Sequence, residues 1–81
     1  MPTVLRENGF RFYFYSHEPN EPPHVHVDRA EASAKIWLEP VAVARNLGFS
    51  AAELHEVVGR VRQHQRRLVE AWYGYFGNGG R

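Results

Sequence analysis

With 81 residues, a formal charge of +1 and no cysteine, the chain has room for one small domain and excludes disulfide staples and thiolate metal sites. No run approaches the ~20 apolar residues of a membrane span and "MPTVLRENGF" carries no apolar signal core, so a cytoplasmic protein without membrane contact is expected. So small a charge does not by itself indicate a nucleic-acid binder, while aromatic residues at 14% supply enough bulk for a core.

The first half alternates. "TVLR" reads as a short strand, and "ENG" at 7–9 as a hairpin turn, because Asn and Gly tolerate positive φ. "FRFYFY" sends Phe10, Phe12 and Phe14 to one face and Arg11, Tyr13 and Tyr15 to the other. "SHEPNEPP" is a loop, since its prolines cannot sustain a ladder. "HVHVD" opposes Val25 and Val27 to His24, His26 and Asp28, and "DRAEAS" turns the chain. "AKIWLE" opposes Ile36 and Leu38 to Lys35, Trp37 and Glu39, and "VAVARN" is read as one more strand rather than a turn of helix.

The second half is helical. Ser50 with Glu53 forms a capping box, and Phe49 with Leu54 fits a hydrophobic staple. Leu54, Val58, Val61, Leu68, Trp72 and Tyr75 recur at helical spacing, with Gln65 interrupting the stripe. Residues 1–76 are therefore expected to form one α+β domain, followed by a tail at 77–81. Its mainly antiparallel sheet of four or five strands would be covered on one face by one long C-terminal helix, Ser50 to Tyr75. The uncovered face would then collect Arg11, Tyr13, Tyr15, His24, His26, Asp28, Lys35, Trp37 and Glu39.

"MPTVLR", "FRFYFYS", "PPHVHV", "KIWLEPV", "LGFS" and "EAWYGYF" together resemble a family of small bacterial proteins classed as a domain of unknown function, over nearly the whole chain to about Phe76. "PPHVHV" is the most specific of these elements. The resemblance implies a second small protein encoded nearby, in pairs suspected to be toxin–antitoxin modules. It supplies no catalytic residues. More distantly, the chain resembles small double-stranded-RNA-binding-like toxins in which a strand histidine serves RNA cleavage, although the leading helix of that fold is lacking.

His24 and His26 point the same way on a strand, so both could reach one zinc ion. A third ligand would have to come from His17 or Glu39, neither fixed by spacing, and no metal or other cofactor is expected. As acid–base groups, two imidazoles suit the proton transfers of RNA cleavage, with Arg11, or else Lys35 or a helix arginine, supplying the cation for the phosphorane charge. Tyr13, Tyr15, Lys35 and Trp37 would hold substrate by stacking and charge. Packing is the competing reading for the aromatics. Arg60, Arg62, Arg66 and Arg67 wrap the exposed side of the helix and read as a solvated flank.

Two classes of function fit. One is an RNA-acting toxin that cleaves or binds RNA without a metal, with His24, His26 and Arg11 catalytic. The other is a non-enzymatic docking or antitoxin-like module, whose aromatic face meets a cognate protein or a second copy in a homodimer. No phosphate-binding glycine loop, Ser/His/Asp order or cysteine nucleophile is present to suggest other enzymes.

Overall fold

Asn8 and Gly9 adopt left-handed φ values of 53° and 85°, closing a two-residue hairpin between β1 (Thr3–Glu7) and β2 (Phe10–Tyr13). The computed structural model describes residues 3–15 and 20–77. Within them β3 (His24–Arg29), β4 (Ala32–Leu38) and β5 (Val41–Leu47) complete a five-stranded antiparallel sheet in the order of the chain. The turn between β3 and β4 is tighter than "DRAEAS" suggests. Pairing of Asp28 with Ser33 and Arg29 with Ala32 leaves only Ala30 and Glu31 in it, with Ala30 at φ 53°. The "VAVARN" segment is a strand, as its composition indicates.

Alternation assigns the inner face correctly. Phe10, Phe12, Phe14, Val25, Val27, Ile36 and Leu38 are all buried there, and Phe49, Val57, Val61, Leu68 and Trp72 pack against them. Each fully buried aliphatic or aromatic side chain contributes roughly 1.5–3 kcal/mol relative to an exposed one. Ser50 closes the predicted capping box: its hydroxyl accepts from Glu53 N–H at 3.1 Å, and Glu53 accepts from Ser50 N–H at 2.9 Å.

The single long helix is two, α1 (Ala51–Gln63) and α2 (Gln65–Phe76), broken at His64 with φ −106° and ψ 13°. Side chains at the break reach down to the sheet. His64 Nε2 donates to both Glu7 oxygens at 3.1 Å, and Arg60 donates to Glu7 at 2.7 Å. Gln65 Nε2 donates to the Leu38 carbonyl at 2.7 Å, which explains an amide in an apolar stripe. The Arg60 hydrogen bond, with His64 behind it, holds the Glu7 carboxyl below its ordinary range. Past the break, the spacing of four from Leu68 through Trp72 leads to Phe76, whose ring centroid lies 4.2 Å from Trp72. Tyr75, assigned to the stripe by its spacing, is instead 48% exposed. Gly77 caps α2 through its N–H to the Tyr73 carbonyl, and the rest of the expected tail lies outside the described residues.

Candidate functional site

Strand register builds the outer face row by row. Tyr13 pairs with His26, His26 with Lys35 and Lys35 with Arg45, so one transverse row crosses four strands. A neighbouring row runs Arg11, Asp28, Ser33 and Leu47, and on the other side His24 pairs with Trp37. These sequence-predicted residues share one face; Glu39, expected with them, lies past the end of β4 and accepts from Tyr73 of α2 at 3.1 Å.

They are not all exposed there. His24 is 0% and His26 5% accessible, and Tyr13 is buried with them. Among the described residues α2 reaches this side only through Trp72 at the His24 end, and elsewhere the side chains cover one another. The His26 ring stacks on Tyr13 at 5.5 Å, inclined by 25°, and meets Tyr15 edge-on at 4.4 Å. His24 meets His26 at 5.1 Å and Trp37 at 5.7 Å, and is closed by Trp72 of α2 at 4.8 Å. Such edge-to-face and offset contacts let polar rings pack densely while their heteroatoms keep hydrogen bonds.

The His24 Nδ1 lies 2.9 Å from the Pro22 carbonyl, and a carbonyl only accepts, so this nitrogen carries a proton. Enclosed in this way, His24 offers no ring edge to a substrate and instead props His26. Tyr13 donates to both Asp28 oxygens at 3.0 Å. Burial, then the hydrogen bonds of Tyr15 and Asp28, push its hydroxyl pKa far up, so it stays protonated. The Arg11 guanidinium lies 4.3 Å from the Tyr13 ring, whose surface Arg11 and His26 take up between them. Tyr13 therefore cannot stack on a base, whereas Tyr15 and Trp37 are half-buried and retain open surface.

His26 borders a cleft of about 100 Å³ on this face, with Tyr15, Ser33, Lys35 and Arg45 among its walls. Lys35 donates to Glu21 and lies 4.8 Å from the Trp37 ring. Arg11 sits one row away and does not line the cleft. Arg45, which does, is absent from the sequence-derived set. Strict alternation from Val41 turns it toward the helices, but a bulge between the Ile36–Val43 and Lys35–Arg45 pairs inserts Ala44 and flips it outward. A wider depression of about 380 Å³, bordered by Arg29, Glu31, Gly48 and Glu53, holds none of the predicted residues. Among the described residues no three His, Cys, Asp or Glu side chains are grouped to hold a metal ion; His17 lies outside them. No helix among them is long and apolar enough to cross a membrane.

An α+β protein with a meandering antiparallel sheet, two helices on one face and a packed His/Tyr cluster on the other is the class these features define. The chain belongs to the family described as domain of unknown function (DUF4160), whose sequence model matches residues 9–73. No curated protein and no solved structure matches the chain.

Proposed function

We propose that this chain is a small RNA-acting protein, the toxin half of a bacterial two-protein module. The resemblance carried by "PPHVHV" supports the module. The row His26–Lys35–Arg45 along an open cleft is the observation that carries the RNA reading. An imidazole beside two cations suits a phosphodiester, and the half-buried rings of Tyr15 and Trp37 suit stacking on bases. In cleavage without a metal, His26 takes the proton of the 2′-hydroxyl. The 2′-oxygen bonds to phosphorus as the bond to the 5′-oxygen breaks, and water protonates the leaving 5′-oxygen. The cations hold the non-bridging oxygens, and Arg11 and His24 act as positioning residues through Tyr13 and His26.

Regulated expression of the wild type and of His26→Gln, with growth and RNA integrity recorded, tests this. Growth arrest with RNA loss in the wild type alone is expected. Equal behaviour of the two removes the catalytic role of His26.

A docking module is the second reading, favoured by β5. Six of its seven residues are exposed, Val43 and Leu47 among them, at a sheet edge with unpaired backbone groups. A cognate protein or a second copy could add a strand there. Pull-down of the neighbouring-gene product by the wild type, lost with proline at Val43, would favour it.

A further inference from the structure

Lys35 and Arg45 stand directly opposite each other on adjacent strands, a like-charge pair that costs stability unless an anion lies between. Glu21 meets part of that need by accepting from Lys35, with its own side chain 40% exposed and its carboxylate 3.8 Å from His24 Nδ1. Arg45 has no carboxylate partner among the described residues. Another like-charge pair on this face, Arg6 with Arg11, lines neither of the clefts described above, and its Arg11 guanidinium lies on Tyr13. Only a bulge in β5 brings Arg45 to Lys35, and bulges serve to re-aim side chains.

We propose that Arg45 and Lys35 hold one phosphodiester group of a single-stranded nucleic acid in the cleft beside His26, and that Glu21 competes with that phosphate for Lys35 from within the chain. This rests on the RNA reading above, whose two cations it shares, and adds to it a single phosphate as their occupant and Glu21 as an intramolecular anion that competes for one of them. The size of the cleft sets the ligand. About 100 Å³ is well below the ~300 Å³ at which pockets begin to enclose small molecules, so a single charged group enters while the rest of the strand lies outside. The planar guanidinium can grip two phosphate oxygens at once, and the ammonium serves as a point charge beside it. Tyr15, on the cleft wall, is placed to meet the adjoining base. Glu21 then sets the affinity: a strand must displace a carboxylate that is half in solvent and tethered in the loop before His24.

The test uses the purified full chain and a short fluorescent oligodeoxythymidylate, which lacks the 2′-hydroxyl and cannot be cleaved. Its binding is followed by anisotropy over a range of salt. Arg45→Ala is expected to weaken binding roughly tenfold or more, as loss of a charged hydrogen bond does. It should also flatten the slope of log affinity against log salt by about 0.7, one cation's share on a single strand. Glu21→Gln should strengthen binding severalfold, and that gain should vanish in Glu21→Gln/Lys35→Ala. Unchanged affinity in Arg45→Ala, or a Glu21→Gln gain that persists without Lys35, overturns the proposal. If Arg45 fails this test while His26→Gln still abolishes RNA loss in cells, the phosphate site is wrong and the RNA reading stands. If binding depends on Arg45 but the wild type never cleaves RNA, the phosphate site stands and cleavage does not.

Discussion

On the helix side of the sheet, Phe12, Val27 and Ile36 face the buried side chains of α1 and α2 and need no hydrogen bond. One residue along the same strands, Tyr13, His26 and Lys35 face outward, and the first two are buried almost as deeply. The inner face is dry because apolar surface leaves water; its energy is non-directional and scales with area. Tyr13 and His26 are dry for another reason: rings, a guanidinium and a carboxylate close over them in fixed geometry, with the Tyr13 hydroxyl on Asp28 and the Arg11 guanidinium over the Tyr13 ring, at the cost of a buried Arg11 Nε without a hydrogen-bond partner. Directional packing of this kind adds little that Leu or Val would not supply, and it holds titratable groups in set positions. Under the RNA reading proposed above, that combination is what a working face requires, and it ends in the cleft toward the exposed edge at β5.

Trp72 is where the two faces meet, touching Phe14 on one side and His24 on the other. Trp72→Ala should have the largest effect, destabilising by about 3–5 kcal/mol in a denaturant titration. It should also open His24 to solvent, visible by NMR as faster exchange of its Nδ1 proton with water. His24→Ala sharpens the comparison. An exposed strand histidine could be replaced with little change, but a fully buried ring packed by Trp37, Trp72 and His26 predicts a loss of about 2 kcal/mol. A loss below ~0.5 kcal/mol would mean that the outer face is not packed in solution.

Ser50→Ala probes the helix layer alone and should cost about 1 kcal/mol through the lost cap, leaving RNA-related activity intact. A smaller effect is expected at Glu7, where the sheet edge holds the helix break. Its folded pKa is depressed by Arg60 first and His64 next, below the ordinary value of 4.5. The ion pairs therefore contribute fully above the unfolded pKa, and that contribution is lost as pH falls through the lower folded value. Melting temperature measured between neutral and acid pH should fall less steeply in Glu7→Gln than in the wild type. Parallel curves would detach the break from Glu7.

What the sequence could disclose follows from this division. The phenylalanines and valines of 10–14 and 25–27 were legible because a period of two needs no knowledge of register. Asn8–Gly9 and the Ser50–Glu53 box were legible because their chemistry is local. Alternation could say which way His24 and His26 point, but not that Trp72, distant in sequence, would close over His24. Nor could it place Arg45, since a bulge reverses parity without a signature of its own. The break at His64 left only an indirect trace, Gln65 in an apolar stripe, whose meaning depends on the Leu38 carbonyl it reaches.

The central claim is that the outer face acts on RNA through His26, and cleavage of RNA by the purified protein, across pH and with chelator present, tests it most directly. The account predicts a pH-dependent, chelator-resistant loss of intact RNA in the wild type. The same loss should be absent in His26→Gln protein that remains folded by circular dichroism. RNA left intact by the wild type at every pH, or cut equally by the folded His26→Gln variant, would contradict it.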